Sequence, residues 1–207
     1  MNAIHTKSTF LYERIRRAIQ EGRYQPGQHV EPLTLAREFR TSVTPVRYAL
    51  HRLAGAGLVE LHARGGFHVP LPFEAALRDR YDWMEILLLE AVDRTAAAHL
   101  AAESLPPLDP QDLPKSTWKL FDAIAKAVEF EELHEAVKRT NDQLAPIRRA
   151  KQSLIGNAHD ELAELYSHWA ARDLTSLKAG VRAFHQRRIA MVPKIVSHLS
   201  QKRDALH

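Results

Sequence analysis

The run Thr41-Ser42-Val43-Thr44-Pro45-Val46-Arg47 limits what this chain can fold into more than any other. Proline lacks a backbone N–H and clashes with the preceding turn, so it is excluded from a helix interior but tolerated in the first turn. Beyond Pro45, Val46, Leu50 and Leu53 recur at i, i+4 and i+7, the period of one buried helix face. A helix therefore starts just before Pro45, with Ser42 as its N-cap. Val43, Thr44, Arg47, Tyr48 and His51 fall on its other faces, and Gly55-Ala56-Gly57 ends it. Upstream, Leu33–Arg40 reads as a shorter helix that turns Leu35, Ala36 and Phe39 inward and Arg37 and Arg40 outward. Downstream, Leu58–His62 and Phe67–Val69 read as strands joined by Ala63-Arg64-Gly65-Gly66, where glycine supplies positive φ. Helix, turn, helix and a glycine-tipped ribbon is the plan of a winged helix-turn-helix, whose second helix lies in the DNA major groove.

The rest of the chain frames this unit. Met1–Ser8 is polar and reads as frayed. Thr9–Gln20 places Leu11, Ile15, Ala18 and Ile19 on one face, and His29-Val30-Glu31 reads as a short strand against the wing. Pro70-Leu71-Pro72 makes a stiff linker over 71–74 between a 1–70 DNA-binding domain and a 75–207 helical domain. Phe73–Ala102 predicts one or two helices with Tyr81, Met84, Leu88, Ala91 and Val92 in a stripe. Leu105–Pro114, with four prolines, reads as a loop. Helices are expected over Trp118–Val128, Phe130–Leu144 and His159–Ala171, with Pro146 kinking or interrupting the path to Ile155. A long last helix, Leu174–Leu199, is expected to be capped by Asp173 and bent at Pro193. The fold class is mainly α: an N-terminal winged helix-turn-helix plus a C-terminal antiparallel α-helical bundle.

Charge supports the division. Residues 1–72 hold ten Lys and Arg against five Glu and no Asp, a net of +5; the remainder holds 19 basic and 20 acidic residues. The excess positive charge thus sits in the part that reads as a DNA binder, as phosphate contact requires. The absence of cysteine removes disulfides, thiolate metal sites and cysteine nucleophiles. No apolar run is long enough for a membrane helix and no secretory leader precedes the first helix, so the expectation is a cytoplasmic protein without membrane partners.

The pattern Pro26-Gly27, Leu35-Ala36, Ser42-x-Thr44-Pro45-Val46-Arg47-x-Ala49-Leu50-x-x-Leu53-x-x-x-Gly57-Leu58-Val59 and Arg64-Gly65 resembles the DNA-binding domain of the GntR family of bacterial transcription regulators, over about residues 8–70. The resemblance implies DNA contacts by Arg47, Ser42, Thr44, Val43, His51, Arg37, Arg40, Arg64 and Gly65. From the chemistry, Arg47 suits bidentate contact with guanine, worth about 1–3 kcal/mol of discrimination. Ser42 and Thr44 suit phosphate at a helix start, and Arg64 with Gly65 suits the minor groove or its flanking phosphates. Two family arginines are replaced, by Val43 and Leu33. Valine can touch a thymine methyl, and the usual operator sequence of the family is not expected here.

The helical part resembles the FadR-like subfamily, whose C-terminal domain binds an effector, through Tyr81–Glu90 and through Glu161–Asp173 followed by Leu174–His185. Many members hold a metal there with one Asp and three His. The comparable positions are Trp118, Asp122, Leu162 and Phe184, with Met84 beside them, and Ile86 stands where relatives carry an arginine for a carboxylate effector. Leucine and phenylalanine have no lone pair for a cation, so no metal cofactor is expected; the pocket becomes an apolar cavity, takes a different ligand, or takes none. His159, His168 and His185 lie nearby, and a one-residue slip would turn His185 inward, which leaves a histidine site with His159 and His185 as the alternative.

Three functions follow. The first is a homodimeric regulator, usually a repressor in this family, binding a palindromic double-stranded operator under control of a small-molecule effector. The second is a winged-helix module for protein partners, with weak or nonspecific DNA binding and no effector; Leu33 and Val43 favour it, the +5 charge and Arg47 oppose it. The third, an enzyme, has no nucleophile elbow, phosphate-cradling glycine loop or paired-histidine helix to support it, and His99 and His134 stand alone in sequence.

Overall fold

The computed structural model describes residues 2–62, 65–98 and 105–205, with the side chains of 2–6, 97 and 98 undescribed. Its contacts form two units: 1–72 with 145–150 and 198–207, and 73–144 with 151–197.

The first unit is the winged helix-turn-helix. Its elements are α1 (Asn2–Gln20), β1 (His29–Val30), α2 (Pro32–Glu38), α3 (Val43–Gly55), β2 (Glu60–Leu61) and β3 (Phe67–His68). β3 lies between β1 and β2, antiparallel to both, with His68 opposite His29 and Glu60. Pro45 occupies the first turn of α3, and Val46, Ala49, Leu50 and Leu53 bury one face completely. They pack with Leu11, Ile15 and Ile19 of α1, Leu35 of α2 and Phe67 of the wing in one apolar cluster. Ala56 caps α3 and Gly57, at φ +71°, turns the chain out of the helix. Gly66 is required twice over: its φ is +82°, and an added Cβ would collide with the His29 ring. The segment expected to fray is helical from Asn2, and Ser8 is buried. The ends of two later helices also belong to this unit, where His198 Nε2 and Lys202 Nζ donate to the Ala150 carbonyl at 3.2 and 2.8 Å. The Lys202 ammonium thus lies at the C-terminus of α6, where a cation counters the helix dipole.

The second unit is a bundle of α4 (Glu74–Ala98), α5 (Leu113–Lys126), most of α6 (Glu131–Ala150), α7 (Ala158–Ala170), α8 (Leu174–Ala190) and the start of α9 (Val192–Asp204). α8 packs on α4 and α7, and α5 on α4 and α7. Tyr81, Met84, Leu88, Ala91 and Val92 form the buried stripe of α4. No helix among the described residues is long and apolar enough to cross a membrane.

Three proline readings need correction. The loop ends earlier than Pro114: α5 begins at Leu113, and Asp112 accepts from Lys115 N at 3.1 Å, so Pro114 sits in a side-chain-capped first turn. Pro146 does not interrupt α6, which runs through it to Ala150. The long last helix is two helices, broken at Met191. Pro193 has no N–H for the Ile189 carbonyl four residues back; Arg78 Nη1 of α4 supplies that donor at 3.0 Å. Asp173 caps α8 as expected, and hydrogen bonds from Ser176 hold its carboxyl below the usual aspartate range.

Candidate nucleic-acid interface

α3 buries one face and leaves Ser42, Thr44, Arg47, Tyr48, His51 and Arg52 exposed on the others. Ser42 stands at the N-cap in extended conformation, but its side chain makes no capping hydrogen bond, so the hydroxyl is available to a ligand. Arg47 is exposed and makes no ion pair with any described residue. Arg52, five residues on, is engaged: its Nη1 donates to Thr9 Oγ1 at 3.2 Å and its guanidinium lies 4.6 Å from the Tyr12 ring. His51 is exposed but rests edge-on against Phe67, ring centroids 5.2 Å apart.

A groove of about 800 Å³ runs beside the start of α3, lined by Leu33, Ala36, Arg37 and Arg40 on one side, Thr41–Pro45 on another, and Lys7 from α1. The turn that shapes it uses Arg40 in the left-handed region, φ +49°, with Thr41 N donating to Ala36 O at 2.9 Å. Glu38, on the helix that carries Arg37, is paired with Arg23 at 2.6 Å, which holds the Arg23 guanidinium above its usual range. The groove lining carries three cations and no carboxylate.

The geometry therefore gathers Ser42, Val43, Thr44, Arg37 and Arg40 around one groove and leaves Arg47 on the neighbouring exposed face. Gly65 is exposed at the wing with φ +88°. Arg64 lies outside the described residues, as does His99. Lys7 was missed in the sequence because its helix was cut short at Thr9; the missing signal is the burial of Ser8, which only the packed structure supplies.

In the helical unit the expected pocket residues take separate employment. Met84, Leu162 and Phe184 are buried. Trp118 Nε1 donates to Asp142 Oδ1 at 2.8 Å, and His134 Nε2 donates to Asp122 Oδ1 at 2.9 Å, so His134 does not stand alone. Phe184 meets Phe121 edge-on and lies under the Arg188 guanidinium, 3.3 Å from the ring centroid. Arg188 in turn pairs with buried Glu161. Ile86, expected at the carboxylate-binding place, is 57% exposed on the outside of α4. His185 is fully buried without any slip in register, its Nδ1 donating to Val181 O at 2.8 Å, while His159 is exposed beside Asp160. Among the described residues no group of three or more His, Asp or Glu converges as a metal site, and Leu162 and Phe184 offer no donor. Leucine and phenylalanine have no lone pair for a cation, so Leu162 and Phe184 cannot ligate a metal.

The profile of the bacterial regulatory proteins of the gntR family matches residues 7–69, which span α1 through the wing. Residues 7–69 are thus similar to the bacterial regulatory proteins of the gntR family. McbR/YncC of E. coli shares the fold of the chain with a TM-score of 0.63 at 19% identity, covering 94% of this chain and 99% of its own. A Rhodococcus sp. RHA1 protein described as a transcriptional regulator GntR superposes with a TM-score of 0.73 at 14% identity, covering 91% and 98%. No curated protein sequence matches. At these identities the likeness is one of fold, and it extends past the GntR domain into the helical unit.

Proposed function

We propose that the chain is a transcription repressor that binds a palindromic operator as a homodimer through its GntR domain. The observation that carries this reading is the face of α3, where Arg47 is exposed and without an ion pair to any described residue, next to a groove whose charged lining is wholly cationic. A helix so presented enters a major groove with its N-terminal residues on base edges. Ser42 and Thr44 contact phosphate and Arg47 reads guanine; Arg37, Arg40 and Lys7 supply sequence-independent attraction. Two copies related by a two-fold axis read the two half-sites, and the helical unit joins them. Trp83 and Ile86, three residues apart on α4 and 49% and 57% exposed, are the apolar surface we assign to that contact. The packed state of Met84, Leu162 and Phe184 favours a helical unit that dimerises over one that binds a metal or a carboxylate effector.

The test is enrichment of a random duplex pool by the purified chain, with Arg47→Ala in parallel. A two-fold symmetric site that Arg47→Ala fails to enrich is the expected result, with about 1–3 kcal/mol of discrimination lost at the guanine position. A second reading, a module for a protein partner, is favoured by the exposure of Leu33 (45%) and Tyr48 (58%). It predicts little duplex affinity even at low salt, whereas the regulator predicts affinity that falls steeply as salt rises.

A further inference from the structure

Leu33 and Val43 form an apolar spot within the cationic groove. Leu33 stands in the first turn of α2 with 45% of its surface exposed, and Val43 is the first residue of α3. Both line the groove, between Lys7, Arg37 and Arg40 and with no carboxylate among its walls. An occupant of this groove meets three cations and the apolar side chains of Leu33 and half-buried Val43, which suits a polyanion that carries an apolar group. Of the four base pairs, only those containing thymine present an apolar group, the C5-methyl, in the major groove. Val43 lies between Ser42 and Thr44, whose hydroxyls suit the phosphates, so the start of the recognition helix alternates polar and apolar contacts at one register.

We infer that Leu33 and Val43 are specificity residues that read thymine methyl groups, so that each half-site carries thymine beside the guanine read by Arg47. The inference rests on the regulator reading above. It assigns sequence preference to hydrophobic contact at the two positions, with no hydrogen bond to the base from either side chain.

The test starts from the duplex that the full-length chain enriches. Each thymine is replaced singly by uracil, which removes the methyl and leaves the pairing intact, and affinity is measured at one fixed salt concentration. The wild-type chain is expected to lose about fourfold at one or two thymines per half-site, the factor for burying one methyl group. Val43→Ala and Leu33→Ala are expected to bind the thymine and uracil duplexes equally at those positions. Val43→Thr, which keeps a methyl of similar reach, is expected to retain part of the discrimination. Equal binding of every uracil duplex by the wild-type chain would overturn the inference while leaving the regulator intact, because an operator had been enriched. Undiminished discrimination by both alanine variants would overturn the assignment to these residues. Failure to enrich any duplex would bring down the regulator reading and the inference with it.

Discussion

Arg40 turns the chain left-handed between α2 and α3, a conformation that costs an L-residue roughly 1–2 kcal/mol relative to glycine. Its side chain lines the groove and makes no ion pair with a described residue. The residue is thus placed for a ligand at some expense to the fold. Arg40→Gly is expected to raise stability by about 1 kcal/mol in denaturant titration and to weaken duplex binding, with the salt slope reduced by about one unit. Loss of both stability and binding would mean that Arg40 holds the turn by packing. The outward direction of Arg47 was legible from helical period alone, whereas Arg52 drew no reading. Which of them is available was not legible, because Thr9 and Tyr12, which occupy Arg52, come from another helix.

Among elements, the break between α8 and α9 shows what a proline does when the rest of the fold answers it. Pro45 and Pro114 lie in capped or freshly started first turns, and their effect is local enough to read from sequence for Pro45. Pro193 strands the Ile189 carbonyl, and the donor that satisfies it comes from Arg78, 111 residues earlier. Arg78→Ala is expected to destabilise the chain by about 0.5–1.5 kcal/mol, since the part-buried Ile189 carbonyl then loses its side-chain donor. Chemical denaturation measures it, and a change within about 0.5 kcal/mol would mean that water replaces the guanidinium. The same dependence on distant partners explains the helical unit. The sequence placed its apolar stripes correctly, yet it could not foresee that Asp122 binds His134, that Trp118 binds Asp142, or that Arg188 covers Phe184 and pairs with Glu161. Period selects a face; only the assembled bundle says what each face meets.

At the scale of the molecule, charge divides along the chain: residues 1–72 carry a net +5, and the helical unit presents Trp83 and Ile86 among near-balanced charges. Ile86→Glu is expected to convert dimer to monomer in sedimentation and to weaken operator binding strongly while leaving affinity for a single half-site unchanged. A dimer of undiminished stability would move the contact to another face. The placement of Leu33 and Val43 has a consequence beyond binding. Leu33 is exposed, at a position where substitutions seldom change stability by more than about 0.5 kcal/mol, whereas Val43 is half-buried against the core of the unit. On the proposed reading, operator preference can drift at Leu33 with little effect on the scaffold, while a change at Val43 is also felt by the core. A regulator built this way changes the genes it governs through its exposed position first, without passing through an unfolded intermediate.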